Sequence, residues 1–274
     1  FAVQNCVKGV MLVRCRYARF RNVHMAWNAY SFADYSRQVN DIDVSNTVDG
    51  RPIYYWVNEH DKQVPLAAGF VALINCTNIL VKSLNLTKNG QGILLKYTNN
   101  SIIESLNVSG NWDGVYIDAW NSNNTIMDCT VTDNLFIGIY ISASSGNTII
   151  NNRVSRNSHG VFLDESSNAN TITNNTITEN EKGLYLYGEN GYISNNVVNA
   201  NVVSNNTVAI SLLFSKDNII YHNNFVNNSD QVYAFDSADS WNYNGEGNYW
   251  SDYVGEDLDS DGVGEFSYLI DEDD

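Results

Sequence analysis

The sequence predicts an all-β fold, a parallel β-helix of about 23 residues per coil with a C-terminal cap, and two observations carry this prediction. The phrase "NTIINNRVSRNSHGVFL" at Asn147 returns 23 residues later as "NTITNNTITENEKGLYL" at Asn170. Apolar runs led by glycine also recur at spacings of 22, 24, 22 and 23 residues, at Gly92, Gly114, Gly138, Gly160 and Gly183. The units are too short and too often broken by Asn and Gly for helices, and they lack the leucine-rich signature, so we expect stacked coils of short strands.

Asparagines keep the same period as the glycines. One series precedes the glycine runs, at Asn89, Asn111, Asn134, Asn157 and Asn180, and another comprises Asn152, Asn175 and Asn196. Asparagine tolerates the left-handed backbone of tight corners, and stacked side chains can pass hydrogen bonds from coil to coil. Alternation after each glycine predicts one continuous core, lined by Val115, Ile117, Ile139, Ile141, Val161, Leu163, Leu184 and Leu186.

The predicted elements follow in order along the chain. Residues 1–236 form the β-helix, and the segment from Val48 to Gly69, which carries both prolines, lengthens one turn into a loop or hairpin. The repeat stops after Asp236, and residues 237–274 have the aromatic and glycine content of a compact cap. A cap is physically required because the last coil would otherwise present unpaired strand edges.

Composition narrows the class of partner. The chain has 42 asparagines, two prolines, 43% hydrophobic residues and a net charge of -16, so it is folded rather than disordered. Nucleic acid and anionic membrane surfaces are disfavoured because both require basic patches. No apolar run is long enough to span a membrane, and no signal peptide is visible at Phe1. The chain opens in the middle of the repeat pattern, so we expect a processed or excised piece of a longer protein.

Cysteines and glycosylation sequons bear on the compartment. The four cysteines, Cys6, Cys15, Cys76 and Cys129, show no CxxC spacing, which disfavours metal or redox use and leaves one disulfide open. Sequons for N-glycosylation favour a location outside the cell, at Asn75, Asn85, Asn99, Asn107, Asn123, Asn174, Asn205 and Asn227.

Three stretches resemble a known family. The insert "DGRPIYYWVNEHDKQVP", the NTI and glycine-aromatic coils, and the closing "GNYWSDYVGEDLDSDGVGEFSYLI" resemble the NosD-type, carbohydrate-binding and sugar-hydrolase β-helix repeats, especially archaeal cell-surface proteins. The resemblance implies a right-handed, single-stranded parallel β-helix exported from the cell. It does not imply one activity, because the family includes a periplasmic accessory factor for copper loading of nitrous oxide reductase, surface-layer proteins and sugar-active enzymes.

The acidic tail offers a candidate calcium site. Carboxylates at alternate positions followed by glycine are typical of a loop that wraps a hard cation. The predicted ligands are Asp257, Asp259, Asp261, the carbonyl of Val263, and Glu265. The loop departs from an EF-hand because Tyr268 stands where the bidentate glutamate belongs, and a solvated acidic loop is the alternative.

An outward stripe is the candidate carbohydrate-binding surface. Strand alternation places one aromatic ring per coil on the outward side, with a polar side chain or a second ring beside it. The stripe consists of Tyr116, Asp118, Tyr140, Phe162, Asp164, Tyr185 and Tyr187, and Ser142 follows on the same face. Aromatic rings beside carboxylates suit a sugar chain. The alternative is an aromatic ladder that only stiffens the sheet or is covered by another segment.

Catalytic and copper constellations are incomplete in the sequence. Asp118 and Asp164 lie two coils apart, about 10 Å, at or beyond the upper limit for an inverting pair. The four histidines are scattered, at His24, His60, His159 and His222. The sequence therefore favours an exported, glycosylated β-helix with a structural or carbohydrate-binding role. Its alternatives are a polysaccharide lyase, hydrolase or epimerase, and a copper-delivery accessory protein.

Charge asymmetry suggests a further partner, a second copy of the chain. The first 24 residues hold Lys8, Arg14, Arg16, Arg19 and Arg21 with no acidic residue, whereas residues 236–274 hold thirteen acids and no Lys or Arg. Such ends favour head-to-tail self-assembly or contact with other surface proteins.

Overall fold

The computed structural model describes residues 1–36, 38–258 and 264–270. It confirms the predicted solenoid: about 11 turns of parallel strands follow one another at about 22 residues per coil, and the described residues contain no helix. The described part of the chain therefore offers no helix that could cross a membrane.

The main β-helix has three faces, each made of one short strand per coil. Face 1 contains Arg51–Val57, Phe70–Ile74, Gln91–Lys96, Asp113–Asp118, Ile137–Ser142, His159–Asp164, Lys182–Tyr187 and the first halves of Val208–Tyr221 and Asp230–Ser240. Face 2 contains His60–Gln63, Thr77–Lys82, Ile102–Glu104, Thr125–Met127, Thr148–Ile150, Thr171–Thr173, Ile193–Ser194, Val197–Asn199 and the second half of Val208–Tyr221. Face 3 contains Asn85–Thr87, Asn107–Ser109, Thr130–Thr132, Arg153–Ser155, Thr176–Thr178, Val202–Ser204, Asn224–Val226 and Tyr249–Trp250.

The core runs unbroken through these coils because the inward positions of all three faces are apolar. The predicted face 1 register is confirmed: all eight expected core residues, from Val115 to Leu186, are fully buried in one cluster. The glycines are required sterically at the start of face 1. A Cβ on Gly138 would lie 2.6 Å from the carbonyl oxygen of Gly160 in the next coil, so the coils could not stack at their observed spacing.

Asparagine ladders join the coils at the corners. In the ladder before face 1, the Asn134 backbone N–H donates to Asn157 Oδ1 at 3.0 Å, and the Asn157 N–H donates to Asn180 Oδ1 at 3.0 Å. The sequence grouped Asn196 with Asn152 and Asn175, but the Asn175 N–H donates to Asn201, and Asn196 belongs to a separate ladder. The cause is one longer coil, in which ladder partners lie 26 rather than 23 residues apart.

Residues 1–48, here called the N-terminal unit, form a short solenoid of their own. Its strands are Ala2–Gln4, Lys8–Val13, Arg19–Phe20, His24–Ala26, Tyr30–Tyr35, Asp41–Ile42 and Thr47–Val48. The last of these pairs antiparallel with Arg51–Val57 across a turn at Asp49-Gly50, so the chain reverses direction before the main helix begins. The segment from Val48 to Gly69 thus contains this hairpin turn and then two coil strands, Arg51–Val57 and His60–Gln63.

The N-terminal unit packs against the outward side of face 1 in the first coils. Phe32 of the unit contacts Phe70 edge-on at 4.9 Å, and both belong to a second apolar cluster. That cluster also holds the outward side chains Ala72, Ile74 and Leu94. Backbone hydrogen bonds fix the contact, from Ser31 N to Lys88 O and from Gly90 N to Phe32 O. Face 1 is therefore buried on both sides in its first coils.

Aromatic rings cover the two ends of the main core. Tyr54 and Trp56 occupy inward positions in the first coil, in register with Val71 and Leu73. At the other end, Trp250 stacks on Phe225 at 4.5 Å and on Tyr268 at 4.3 Å. Stacked rings fill the last open coil with little loss of rotamer entropy, and they shield the strand edges there.

Candidate functional site

The aromatic residues of the predicted stripe form one continuous column of rings on the outward side of face 1, and Asp118 and Asp164 lie in the neighbouring outward row. Successive ring centroids lie 4.8 Å apart for Tyr116 and Tyr140, 5.3 Å for Tyr140 and Phe162, and 4.5 Å for Phe162 and Tyr185. Tyr187 lies 5.9 Å from Tyr185. The column continues beyond the predicted residues, through Phe214 at 6.3 Å from Tyr187 and Phe235 at 5.6 Å from Phe214.

The ring faces in the middle of the column already contact one another. Phe162 and Tyr185 stack at an interplanar angle of 13°, and Phe162 is only 9% exposed. The ammonium of Lys182 lies 3.8 Å from the Tyr185 ring centroid, on a cation–π contact. These rings offer a ligand their edges rather than their faces, as expected for a ladder that stiffens the sheet.

Polar groups accompany the column. The Tyr140 hydroxyl donates to Asp164 Oδ2 at 2.9 Å, and the Glu165 backbone N–H donates to Asp164 Oδ1 at 2.8 Å. Burial raises the pKa of Asp164 despite these two hydrogen bonds. Burial also raises the pKa of Tyr140, so its hydroxyl remains a donor at neutral pH. Asp118 lies in the same outward row, two coils before Asp164, and this keeps the two carboxylates apart.

His159 and Lys182 begin the strands on the other side of the column. The His159 ring packs against Phe136 at 5.3 Å, Phe162 at 5.6 Å and Tyr185 at 5.4 Å. Burial lowers the pKa values of both His159 and Lys182. The imidazole is therefore neutral at pH 7 and acts mainly as part of the aromatic packing.

A depression at the corner between faces 1 and 2 is more accessible than the column. Its walls come from four successive coils, with Trp120 in the first, Ala143 and Ser145 in the second, Glu165 and Ser166 in the third, and Asn190 in the fourth. Three coil spacings of about 4.8 Å make the depression about 14 Å long. It therefore runs along the solenoid axis, parallel to the ring column.

Trp120 is the most distinctive residue of this depression. Its side chain is 75% exposed, and its backbone has a φ of 54°, in the left-handed region that bulky residues seldom adopt. The Tyr97 ring contacts the Trp120 ring at 6.0 Å between centroids. A large exposed indole at the edge of a depression marks a candidate functional position, whereas its positive φ is shared by other residues of this corner, such as Tyr97 at 52° and Ala143 at 46°.

A second depression lies beyond the loop that contains Asn190. It is lined by Gly188, Glu189, Gly191, Tyr192, Phe214 and Asp236. The shared loop is the insertion that lengthens one coil to 26 residues. Sequence reasoning missed Trp120 and this loop, although the wider spacing between Asn180 and Asn206 signals the insertion.

The candidate calcium residues are only partly described. Asp259, Asp261 and Val263 lie outside the described residues, whereas Asp257 and Glu265 lie within them. Glu265 Oε1 accepts a hydrogen bond from the Leu258 backbone N–H at 2.7 Å, which draws the two ends of the loop together. The described residues contain no cluster of three or more His, Cys, Asp or Glu side chains suited to a metal ion.

The cysteines and sequons are placed as follows. All four cysteines carry free thiols, and Cys76 and Cys129 are buried within the coil corners. Cys129 occupies a ladder position, with its backbone N–H donating to Asn152 Oδ1 at 2.9 Å.

Of the eight sequon asparagines, seven are exposed and Asn99 is half-buried. The geometry is compatible with glycosylation of the exposed seven, which stays a prediction.

Comparison with solved structures finds proteins similar to this chain. DFA-IIIase from Arthrobacter chlorophenolicus A6, solved with GF2, superposes with a TM-score of 0.51 at 14% identity, over 84% of this chain and 61% of that chain. The A-module of mannuronan C-5 epimerase AlgE6 from Azotobacter vinelandii gives a TM-score of 0.44 at 11% identity, over 83% of this chain and 65% of that one. At 14% identity the likeness to DFA-IIIase shows the β-helix fold alone.

Sequence comparison identifies the family. A 55-residue stretch is 47% identical to the probable ABC transporter binding protein NosD of Stutzerimonas stutzeri and to that of Pseudomonas aeruginosa. It covers 20% of this chain and 13% of each relative, so the match spans only a small part of these proteins. The family model described as "Periplasmic copper-binding protein (NosD)" matches residues 38–255, which is most of the chain. The chain therefore belongs to the NosD family.

Proposed function

We propose that this protein binds a glycan chain along the corner depression, outside the cytoplasm or in the cell envelope. The observation that carries the proposal is the exposed Trp120 indole at one end of an axial depression lined by Glu165, Ser166 and Asn190. An indole face offers apolar area to sugar C–H groups, and the carboxylate, hydroxyl and amide offer hydrogen-bond partners to sugar hydroxyls. The periplasmic description of the family supports the location.

Charge favours a neutral glycan as the ligand. Glu165 lines the depression, Glu189 and Asp236 line its continuation, and the whole chain carries a net charge of -16. A uronate polymer would meet like charge along this path, which costs affinity and slows encounter. We therefore expect cellulose, chitin, xylan or β-1,3-glucan to bind in preference to alginate or pectate.

The described residues do not present the paired carboxylates or the base that catalysis on a glycan chain would require. Asp118 and Asp164 lie two coils apart, about 10 Å, which exceeds the separation of a retaining pair and the usual range of an inverting pair. The Tyr140 hydroxyl, whose pKa is raised, is unsuited to act as a general base. A polysaccharide lyase, hydrolase or epimerase is thus the weaker alternative.

Copper binding, which the family description implies, does not fit the described residues. Copper sites use imidazole, thiolate and thioether ligands grouped around one ion. No three His, Cys, Asp or Glu side chains cluster in the described part of the chain, and the Cys76 and Cys129 thiols donate to backbone carbonyls. Burial raises the pKa of both thiols, which disfavours the thiolate form that binds metal.

Affinity electrophoresis against this panel of polysaccharides tests the proposal. Trp120→Ala should lower affinity for the bound glycan about tenfold or more, because stacking on one ring contributes roughly 1–3 kcal/mol by comparison with base stacking. Trp27→Ala is a matched control, since Trp27 is also exposed, at 68%, with a φ of 56°. Equal retention of the Trp120 and Trp27 variants would contradict the proposed site.

A further inference from the structure

The inserted loop between the two depressions carries an Asn-Gly pair, Asn190-Gly191. Asn190 lines the corner depression, and Gly191 lines the second depression beside Gly188 and Tyr192. Both residues of the pair are exposed, in the turn of the loop. Gly191 has a φ of 147°, which residues with a Cβ rarely adopt, so the shape of this turn requires the glycine.

Glycine after asparagine favours attack of the backbone on the asparagine side chain, because no Cβ hinders the glycine nitrogen. The Gly191 nitrogen forms a bond to Asn190 Cγ and gives its proton to solvent base. The bond from Cγ to Nδ2 breaks, and the side-chain nitrogen leaves as ammonia with a proton from water. Water then opens the resulting succinimide at one carbonyl to give Asp, or at the other to give isoAsp. Water is the only co-reactant.

The reacting groups of this pair are not held by the described part of the chain. Neither the Asn190 carboxamide nor the Gly191 N–H makes a hydrogen bond to a described residue. The loop is anchored at the next residue, where the Tyr192 hydroxyl donates to Asp236 Oδ1 at 3.1 Å. The turn that must rotate for ring closure is therefore unrestrained by hydrogen bonds.

The chain contains two other Asn-Gly pairs, and the first is locked inside the solenoid. Asn89 is fully buried, and its Nδ2 donates to the Gly69 carbonyl at 3.1 Å. The Gly90 N–H, which would supply the attacking nitrogen, donates to the Phe32 carbonyl at 2.7 Å. Both the nucleophile and the leaving group are thus engaged.

The other pair, Asn244-Gly245, is the two-residue loop of a tight hairpin, with φ values of 53° and 88°. Tyr243 and Glu246 close the hairpin with two backbone hydrogen bonds, at 3.0 and 3.1 Å. These bonds oppose the backbone rotation that ring closure requires. Of the three pairs, only Asn190-Gly191 combines exposure with the absence of restraint by described residues.

We propose that Asn190 is a site of spontaneous deamidation, and that its conversion into Asp or isoAsp weakens glycan binding in the corner depression. The effect on binding rests on the glycan-binding function proposed above, whereas the modification does not. A carboxylate at this position accepts hydrogen bonds but cannot donate them, so the depression loses a donor to sugar hydroxyls. IsoAsp also lengthens the main chain of the loop by one bond.

Incubation in mildly alkaline buffer, followed by tryptic digestion and fragmentation mass spectrometry, tests the modification. Trypsin separates the pairs, because Asn89 falls in residues 89–96, Asn190 in 183–216 and Asn244 in 217–274. Conversion at Asn190 should be about tenfold faster or more than at Asn244, since two hydrogen bonds hold the hairpin. Asn190→Gln keeps an amide but cannot form the succinimide, so this position should stay unmodified in that variant.

Affinity electrophoresis against the neutral polysaccharides named above tests the effect on binding. Asn190→Asp should lower the affinity about fivefold, as expected for the loss of one hydrogen bond. Asn195→Asp is the matched control, because Asn195 is exposed and lines neither depression, so the same charge is added elsewhere. This control should bind like the unmodified protein.

The outcomes separate the modification from the binding function. Conversion that is no faster at Asn190 than at Asn244 would overturn the modification site and leave glycan binding untouched. Equal affinities of the Asn190→Asp and Asn195→Asp variants would overturn the effect on binding. An unmodified protein that binds none of the polysaccharides would overturn the proposed function and this effect together, while faster conversion at Asn190 would still support the modification site.

Discussion

Buried asparagine side chains replace backbone hydrogen-bond partners at the corners of the solenoid. Asn157 is 5% exposed, accepts from the N–H of Asn134, and donates through Nδ2 to the Ser155 carbonyl at 3.1 Å. Its own backbone N–H donates to Asn180 Oδ1. Each side chain therefore satisfies polar groups of two coils where the strands bend away from one another.

Replacing one such asparagine should lower the free energy of unfolding. Asn157→Ala leaves the Asn134 N–H and carboxamide without their acceptor in a buried site, so we expect a loss of about 3 kcal/mol in the free energy of unfolding. Asn107→Ala is the control, because Asn107 is exposed on face 3. Chemical denaturation followed by circular dichroism measures both; similar midpoints for the two variants would show that the ladder does not stabilise the coil.

Asp113 is a buried acid at the contact between the N-terminal unit and face 1. It is 3% exposed, its Oδ2 accepts from Tyr35, and its Oδ1 has no hydrogen-bond partner within the described residues. Gln91, its neighbour on the adjacent strand, likewise has an unpaired Nε2. Burial raises the pKa of Asp113 to about 7.

This raised pKa predicts a stability that falls with rising pH. Between about pH 4 and pH 7 the folded protein keeps a proton on Asp113 that the unfolded chain has released. The contribution of this proton to the free energy of unfolding is therefore greatest below the pKa of the unfolded chain, and it disappears as the pH rises to about 7. We expect a loss of about 3 kcal/mol between pH 5 and pH 8 that is missing in Asp113→Asn. The lowered pKa of His159 acts in the opposite direction in both proteins, so their difference isolates Asp113. Parallel pH profiles for the two proteins would refute it.

At the level of elements, the cap closes the last coil by stacking Phe225, Trp250 and Tyr268. The Tyr268 hydroxyl donates to Asp252 Oδ2 at 3.0 Å, and the Tyr253 hydroxyl donates to the Phe266 carbonyl at 2.7 Å. The acidic loop predicted to bind calcium lies between these two tyrosines in the chain. A cation bound there would link the two halves of the cap.

Calcium removal tests the predicted loop. A ligand that binds only the folded state raises stability by mass action, so chelation should lower the melting temperature of the calcium-loaded protein. Asp259→Ala should abolish the response to chelator, whereas Asp230→Ala, an exposed acid on a strand outside the loop, should retain it. A metal-stripped sample whose melting temperature does not change on adding calcium would exclude the site.

The repeat and its core could be predicted from the sequence because both depend on local spacing. Strand alternation alone places Ile139 and Ile141 in the core. The recurring glycine at position 138 marks the start of each strand in the sequence, and the structure explains it, because a Cβ there would be too close to Gly160 in the next coil. The outward rings were predicted for the same reason. Their mutual stacking was not, because the ring planes depend on how neighbouring coils pack.

The position of the N-terminal unit and the corner depression depends on contacts that spacing does not encode. Residues 1–48 have the same coil period as the main helix, and only the turn at Asp49-Gly50 reverses the chain. One signal was present: the run "FVALI" from Phe70 to Ile74 is apolar at every position, which indicates a strand covered on both sides. Trp120 gave no periodic signal, since it is a single exposed residue at a corner.

For the whole molecule, charge is divided between the N-terminal unit and the rest of the chain. Residues 1–48 contain six Lys or Arg and three Asp, a net charge of +3, which leaves -19 for residues 49–274 out of the total of -16. Part of the positive charge is paired inside the unit, where Arg21 contacts Asp43 at 2.9 Å. Arg14 and Arg16 are exposed. The unit therefore presents a positive surface beside a strongly negative rod.

This arrangement changes the geometry expected for self-assembly. The basic coil lies at the side of face 1 and not at the axial end of the main helix, which is covered by Tyr54 and Trp56. Contact between the basic unit of one copy and the acidic C-terminal segment of the next would therefore be offset from the axis. Such a heterologous contact grows into a staggered filament unless its rotation closes a ring.

Light scattering across a salt series tests this association. Charges exposed to solvent are screened beyond about 10 Å at 0.1 M ionic strength, so association should be greatest at low salt and should fall as salt is added. Arg14→Glu with Arg16→Glu should abolish it, because the substitutions reverse the exposed charge that faces the neighbour. Lys88→Glu provides a charge-reversed control outside the N-terminal unit. A protein that stays monomeric at low salt and high concentration, with calcium present, would rule out electrostatic head-to-tail assembly. Association that persists at high salt would instead indicate apolar contacts, through exposed side chains of the first coil such as Val7 and Val13.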